Sequence, residues 1–185
     1  MIHKPQLIII KGCPGSGKTT LSKELGRLLY LPVVSRDEIK EGYVNTFGIK
    51  HDKLPDDTNK IATETFFKNL SFLLENKVSV IAEAAFQHSV WKSQIQKLQK
   101  HAKVTIVICE VNDDVAAKRH LERGISDSKR EFFHGDNRVA HYKETGVVLA
   151  AAKYEAPSLS IPTIKVSTLH GYDPKIEKII EKIAL

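Results

Sequence analysis

The chain has 185 residues, 42% of them hydrophobic and 27% charged, which is typical of a globular domain and excludes a disordered or collagen-like chain. Its formal net charge of +6 suits a protein that binds phosphates or other anions, although a basic solvated surface would give the same value. The two cysteines, Cys13 and Cys109, are too few for a disulfide framework, and no apolar stretch reaches the roughly 18 residues that cross a bilayer. We therefore expect one soluble, cytoplasmic domain over residues 1–185, with no membrane partner.

Strand and helix patterns alternate along the chain, which favours an α/β fold with a parallel sheet. Short β-branched runs predict five strands, at residues 7–11, 32–34, 78–82, 104–109 and 163–166. Apolar periodicity predicts helices over residues 18–29, 58–74, 91–98, 113–123 and 174–183, and the stretch 139–156, whose pattern is ambiguous, is expected to be helical as well. Two polar stretches without clear periodicity, residues 42–60 and 124–138, are predicted as loops, and Gly124 is expected to end the helix before the second of them.

The strongest motif follows the first predicted strand, where residues 12–19 read GCPGSGKT and match G-x-x-x-x-G-K-[ST] in full. Glycines let successive backbone N–H groups point at a phosphate, and the N-terminus of the next helix adds the positive end of its dipole. A plain strand-to-helix turn is the alternative. The motif predicts a nucleotide-binding loop made of Gly12, Cys13, Pro14, Gly15, Ser16, Gly17, Lys18, Thr19 and Thr20.

Two residues of this loop are expected to act on the nucleotide directly. Lys18 would reach the β- and γ-phosphates, and Thr19 would bind Mg²⁺ through its hydroxyl group.

The loop alone does not define the reaction, but the D-x-x-G and N-K-x-D elements of GTPases are missing from the sequence. A regulatory GTPase is therefore not favoured.

A second motif, SRDEIK at residues 35–40, directly follows the second predicted strand. In a doubly wound sheet, residues just beyond the carboxyl end of a strand line the ligand crevice. Asp37 is thus expected to orient an acceptor hydroxyl group and take its proton, or else to cap a helix that begins near Glu38. Arg36 and Lys40 either contact an anionic substrate or lie in solvent.

Together, GCPGSGKT and the SRDEIK that follows a short strand resemble the P-loop kinases of the polynucleotide kinase, zeta toxin, chloramphenicol phosphotransferase and gluconate kinase cluster, with an AAA-type ATP-binding domain. The similarity in element order covers nearly the whole chain, and these two motifs are its specific part. The resemblance implies the P-loop NTPase fold, a three-layer α/β sandwich with a five-stranded parallel sheet in the order 2-3-1-4-5. It also implies an ATP- and Mg²⁺-dependent kinase in which Asp37 is the general base.

The resemblance implies roles for further charged residues. Glu83 ends the third predicted strand, where the cluster has an acidic residue near Mg²⁺ or the substrate; a structural hydrogen bond is the alternative. The stretch 124–138 resembles a lid, with Arg123 or Arg130 stabilising the transferred phosphoryl group and Arg119 nearer the adenine or the α-phosphate. Because acidic residues are interleaved with these arginines, a salt-bridged exposed face is the alternative.

The acceptor is the open part of this prediction. Lys40 stands where the nucleic-acid kinase has an arginine, and no phosphatase half is present, so a polynucleotide acceptor is less favoured. The segment 42–60 would lie on the acceptor side. We expect an acceptor hydroxyl group on a small molecule, with a 5′-hydroxyl polynucleotide kinase and an ATP-binding switch without transferase activity as the alternatives.

Overall fold

The computed structural model describes residues 4–85, 88–150 and 159–184, and within these ranges strands and helices alternate as the sequence predicts. A single 3₁₀ turn, His51–Lys53, lies between the second and third helices of the described ranges. In chain order the elements are β1 (Gln6–Lys11), α1 (Lys18–Leu29), β2 (Val33–Ser35), α2 (Arg36–Phe47), α3 (Thr58–Glu75), β3 (Val80–Glu83), α4 (His88–Leu98), β4 (Lys103–Glu110), α5 (Asp113–Ser126), α6 (Arg130–His134), α7 (Arg138–Thr145), β5 (Thr163–Ser167) and α8 (Ile176–Ala184).

The sheet has five parallel strands in the order β2-β3-β1-β4-β5, which confirms the predicted topology. β1 lies at the centre, where Ile9 is paired with Ala82 of β3 and with Ile106 of β4. Its residues from Leu7 to Ile10 are almost fully buried, as expected for a strand covered on both faces. All five carboxyl ends therefore point to one edge of the sheet.

Helices cover both faces of the sheet and complete the predicted three-layer sandwich. On one face, α3 and α4 pack against it through a cluster that includes Phe66 and Trp91, whose ring centroids are 5.3 Å apart. On the other face, α1 and α8 contribute Leu21 and Ile179 to a second cluster. β1 connects the two layers, because Ile9 belongs to the first cluster and its neighbours along the strand belong to the second.

The predicted loop over residues 42–60 is wrong in its first part, because α2 continues to Phe47 and ends at Gly48, whose φ is 64°. Only Val44 of this helix is buried, so its sequence lacks the apolar stripe that identifies a helix. The Ser35 side chain instead marks its start by accepting a hydrogen bond from the backbone N–H of Glu38.

The predicted loop over residues 124–138 is also wrong, because α5 continues through Gly124 and α6 follows within the same stretch. Gly124 does not end its helix. A Cβ at this position would come within 2.8 Å of Val139 Cγ2, so the glycine allows α5 and α7 to approach closely. The predicted helix over 139–156 begins at Arg138 and ends at Thr145, while its residues 151–156 lie outside the described ranges.

Other boundaries differ from the predictions by one to three residues, as β3 begins at Val80 and α8 at Ile176. Across the described ranges, no helix combines the length and apolar character that crossing a membrane requires.

Phe66 tests the core on the α3 face, because it is fully buried against Trp91. Phe66→Ala should lower the free energy of unfolding by about 3–5 kcal/mol, since a large buried ring is lost and a cavity is left behind. Urea unfolding followed by circular dichroism measures this difference. Phe72→Ala on the same helix is the matched control, since Phe72 is 67% exposed. Equal destabilisation by the two variants would contradict the packing described.

Candidate functional site

The residues Gly12–Thr19 form a tight loop between β1 and α1 that requires glycine at specific positions. Gly15 and Gly17 have φ angles of 87° and 82°, a left-handed conformation that other residues rarely adopt. A Cβ on Gly15 would also collide with the backbone carbonyl oxygen of Ala116 in α5. The loop conformation is therefore set by its glycines and by the helix that crowds it.

The side chain of Ser16 is buried in this loop without a hydrogen-bond partner among the described residues. The backbone carbonyl oxygen of Ser16 accepts a 2.8 Å hydrogen bond from Thr168 Oγ1, which follows β5. Buried polar atoms in native proteins nearly always have a partner, so the Ser16 hydroxyl suits a bound group with acceptor oxygens, such as a phosphate.

Glu83 lies at the carboxyl end of β3, between the phosphate-loop residues and β2. Its Oε1 is 3.8 Å from Lys18 Nζ and accepts a 3.4 Å hydrogen bond from Thr19 Oγ1. Its Oε2 accepts a 2.7 Å hydrogen bond from Ser35 Oγ. Burial raises the pKa of the Glu83 carboxyl group, although Lys18 and the Ser35 hydroxyl oppose this shift. The structural hydrogen bond expected as one alternative is thus present, and the metal and substrate roles are compatible with it.

The oxygens of Thr19 and Glu83 fit a magnesium ion. Mg²⁺ prefers hard oxygen ligands and usually takes only one or two from the protein, with waters and substrate phosphates completing its octahedron. Within the described ranges, no cluster of three or more histidine, cysteine, aspartate or glutamate side chains is arranged to hold a metal. Thr19 and Glu83 therefore supply the number and kind of oxygen ligands that Mg²⁺ usually takes from a protein.

Asp37 is the second residue of α2, and its side chain is 54% exposed. The alternative in which it caps α2 is wrong, because Ser35 occupies the cap position. Arg36 lies beside it, with Nη1 3.7 Å from Asp37 Oδ1, and also donates to the Thr63 hydroxyl group. Asp37 is therefore held at the start of a helix with its carboxylate accessible.

Asn59 in α3 accepts hydrogen bonds from the two cationic side chains of this motif, Arg36 and Lys40. Lys40 Nζ donates a 2.7 Å hydrogen bond to Asn59 Oδ1, which also accepts one from Arg36 Nη2. Burial, followed by the charge of Arg36, lowers the pKa of Lys40. The two cations thus share a neutral amide oxygen as their common partner.

A cavity of about 480 Å³ opens at the carboxyl ends of the strands and brings most of the predicted site together. Most of the lining side chains are charged, and Phe133 is the one Phe, Tyr or Trp among the described residues that line it. The sequence-predicted residues that line it are Pro14, Lys18, Thr19, Arg36, Asp37, Lys40, Glu83, Arg123 and Arg130.

Arg119 does not line this cavity, unlike the other two candidate arginines. Its guanidinium group donates to the backbone carbonyl oxygens of Thr168 at 2.8 Å and Leu169 at 3.1 Å. The arginine therefore faces the loop after β5.

The opposite wall of the cavity comes from the 124–138 stretch and from the neighbouring α5. Arg123 and Arg130 each have a buried Nε without a hydrogen-bond partner in the described part of the chain. Burial, followed by the charge of Arg130, lowers the pKa of Arg123. The alternative of a salt-bridged exposed face does not fit these two arginines, because the side chain of Arg130 is 13% exposed and the Nε of Arg123 is buried.

Sequence reasoning missed several residues that line the cavity. Glu41 lies one helical turn after Asp37 and contacts His134, with Oε1 and Nε2 3.2 Å apart. Its spacing would have indicated the shared face once α2 was recognised as a helix. His51 and His120 gave no such signal, because they reach the cavity only through the packing of distant segments.

The parallel sheet, its order and the loop after β1 define a P-loop kinase fold. A family model described as an AAA domain matches residues 7–144, and the chain belongs to this family. A search of curated proteins finds no match.

Solved structures share the fold at low sequence identity. A candidate kinase from Chloroflexus aurantiacus has a TM-score of 0.78 at 23% identity, with 98% of each chain covered. The APS kinase of Mycobacterium tuberculosis, in complex with AMPPNP and APS, has a TM-score of 0.64 at 12% identity and covers 98% of this chain and 99% of its own. A gluconokinase from Sinorhizobium meliloti has a TM-score of 0.53 at 16% identity, with 98% and 92% covered.

Glu83 makes the stability of the ligand-free protein depend on pH. Its raised pKa means that the ionised carboxylate is less favourable in the folded than in the unfolded chain. This loss of folding free energy is absent below the ordinary pKa of glutamate, where both states are protonated. It develops as the pH rises from there through the pKa of Glu83 in the folded protein. Glu83→Gln should therefore raise the thermal unfolding midpoint at pH 7.5, and this advantage should shrink at pH 4.

Differential scanning calorimetry at the two pH values measures the effect. Glu75→Gln, at the exposed end of α3, is the matched control and should change the midpoint little. A lower midpoint for Glu83→Gln than for the wild type at pH 7.5 would show that the ionised carboxylate stabilises the fold.

Proposed function

We propose that this protein is an ATP-dependent kinase that transfers the γ-phosphoryl group of Mg·ATP to a hydroxyl group of a small molecule. The observation that carries the proposal is the shared cavity, because the Asp37 carboxylate lines the same space as Lys18 and Thr19. A carboxylate opposite a phosphate-binding loop is the arrangement that phosphoryl transfer to a hydroxyl group needs. The fold shared with the kinases described above supports the same conclusion.

The polyphosphate would bind to the loop from Gly12 to Thr20. Its backbone N–H groups and the N-terminus of α1 would surround the phosphates, and Lys18 would neutralise part of their charge. Thr19 and Glu83 would hold Mg²⁺, which neutralises charge on the β- and γ-phosphates when bound. The unpartnered Ser16 hydroxyl is consistent with a phosphate ligand here.

Asp37 would act on the acceptor. Its carboxylate would orient the acceptor hydroxyl and take its proton as the oxygen bonds to the γ-phosphorus, while the bond to the β-phosphate oxygen breaks and ADP leaves. Arg123 and Arg130 on the opposite wall would stabilise the charge on the transferred group. Arg119, held by the loop after β5, is our candidate for contact with the adenine or the α-phosphate.

The lining of the cavity favours a small, polar acceptor. Base recognition in single-stranded nucleic acids relies on aromatic side chains that stack on successive bases, and among the described residues Phe133 is the one Phe, Tyr or Trp side chain in this lining. Arg36 and Lys40 on one wall and Glu83 at the base are the groups we propose for acceptor binding. The gluconokinase, and a sugar kinase from Janibacter that shares the fold with a TM-score of 0.62 at 16% identity, are named for gluconate and sugar substrates, which is consistent with such an acceptor.

A first experiment identifies the acceptor by ADP release above the rate of ATP hydrolysis without acceptor. The panel contains neutral polyols, hydroxy acids and a 5′-hydroxyl oligonucleotide. We expect a small polar hydroxyl compound to stimulate ADP release. Stimulation by the oligonucleotide alone would instead support a polynucleotide kinase, and ATP binding without stimulation by any compound would support a nucleotide-binding switch.

Asp37→Ala then tests the mechanism with the acceptor found. The turnover number should fall by about 10²–10⁴-fold, as for loss of a general base, while the affinity for ATP stays within about threefold of the wild type. Asp114→Ala is the control and should retain full activity, because Asp114 is exposed in the first turn of α5 and does not line the cavity. Full transfer by Asp37→Ala would exclude the assigned role.

A further inference from the structure

One carboxylate contacts the three helices that carry Arg123, Arg130 and Arg138, three of the arginines that line the cavity. Asp136 lies in the connection between α6 and α7, and its side chain is only 10% exposed. Its Oδ2 is 2.8 Å from His120 Nε2 in α5 and 3.6 Å from Arg130 Nε in α6. Its Oδ1 is 3.8 Å from Arg138 Nε in α7 and accepts a 3.1 Å hydrogen bond from the Arg138 backbone N–H. Asp136 is therefore the common contact of α5, α6 and α7.

Burial favours the neutral form of the histidine in this group. Burial lowers the pKa of His120 to about 4, even though Asp136 acts in the opposite direction. A neutral imidazole 2.8 Å away leaves the charge of the carboxylate uncancelled, and Asp136 Oδ2 has no hydrogen-bond partner among the described residues. The negative charge of Asp136 is consequently left for the surrounding arginines.

The arginines need such a charge, because they crowd one wall of the cavity. Arg130 lowers the pKa of the nearby Arg123, whereas Asp136 raises it, with Asp37 and Glu83 contributing less. Both Arg123 and Arg130 keep a buried Nε for which no hydrogen-bond partner is found in the described ranges. Asp136 thus offsets the repulsion between the cations, and its 3.6 Å contact with Arg130 Nε is an ion pair rather than a hydrogen bond.

We propose that Asp136 is a positioning residue, which holds Arg130 through its Nε so that the terminal guanidinium N–H groups of Arg130 face the γ-phosphate of bound ATP. This inference rests on the proposed kinase function. Asp136 does not touch the nucleotide; it acts through Arg130, with Arg138 and His120 fixing the carboxylate from the other sides. Because ADP lacks the γ-phosphate, removal of the Asp136 charge affects the binding of a triphosphate and leaves the binding of ADP nearly unchanged.

Isothermal titration calorimetry with Mg·AMPPNP and Mg·ADP tests this inference without knowledge of the acceptor. In Asp136→Asn the ratio of AMPPNP affinity to ADP affinity should fall about tenfold, the effect of losing one charge-assisted hydrogen bond. The affinity for ADP should stay within about threefold of the wild type. Asp136→Glu, which keeps the charge, should restore at least part of the ratio.

Asp127→Asn is a closely matched control. Asp127 lies in the same 124–138 stretch, and its Oδ1 accepts a 3.0 Å hydrogen bond from the backbone N–H two residues later, as Asp136 does. It differs in that it is exposed and pairs with no arginine among the described residues. The ratio should therefore be unchanged in Asp127→Asn.

A double-mutant cycle separates positioning from a general structural role. Arg130→Gln should itself lower the ratio, and Asp136→Asn should then add less than about twofold, because both changes remove the same interaction. The inference would be overturned if the two substitutions lowered the ratio independently, so that their fold-changes multiply in the double variant. An unchanged ratio in folded Asp136→Asn or in Arg130→Gln would also overturn it.

If Asp136→Asn does not fold, a normal ratio in Asp136→Glu together with a lowered ratio in Arg130→Gln supports the inference, and any other pair of results overturns it. Failure of the wild type to bind either nucleotide would overturn the proposed function and this inference with it.

Discussion

The conformation of the loop between β1 and α1 is the constraint on which the site depends, and surrounding backbone imposes it. A Cβ on Gly12 would come within 2.7 Å of the carbonyl oxygen of Cys109 in β4, and one on Gly15 would collide with Ala116 in α5. From the other side, the Thr168 hydroxyl binds the Ser16 carbonyl oxygen after β5. Elements remote in sequence thus hold the loop in a conformation that only glycines can adopt at these points.

The same edge of the sheet concentrates groups that lower the stability of the ligand-free protein. Glu83 is buried with a raised pKa, and the Ser16 hydroxyl and the Nε atoms of Arg123 and Arg130 have no hydrogen-bond partners in the described part of the chain. Each such group costs free energy through its lost hydration. In our account, phosphates, Mg²⁺ and the transferred group supply the missing partners, so nucleotide binding offsets the free energy that these groups cost in the ligand-free fold.

The parallel sheet could be predicted because its signals are local. Buried β-branched strands, the GCPGSGKT motif and the carboxylate that follows each of β2 and β3 are visible in the sequence and lie at one edge of the sheet. This explains why Lys18, Thr19, Asp37 and Glu83 were expected to meet, and the structure brings all four to one cavity.

The walls of the cavity could not be predicted in the same way, because they depend on tertiary packing. α2 has a single buried residue, Val44, and α6 has none, so neither shows the apolar periodicity that identifies a helix. Gly124 looked like a helix end, but its lack of a side chain serves the contact with Val139. The histidine and the carboxylate at positions 120 and 136 are 16 residues apart in the sequence, and only the fold of three helices makes them neighbours.

The central claim is that the loop from Gly12 to Thr19 binds the polyphosphate of a nucleotide. Isothermal titration calorimetry of the folded protein with Mg·ATP tests it most directly, with Gly15→Val as the comparison, since a side chain at Gly15 would overlap the Ala116 carbonyl oxygen. The account predicts saturable one-to-one binding to the wild type and a loss of at least about tenfold in affinity for a folded Gly15→Val variant, the effect of misplacing charge-assisted hydrogen bonds. No heat with ATP or GTP in the presence of magnesium, on protein verified as folded, would contradict it.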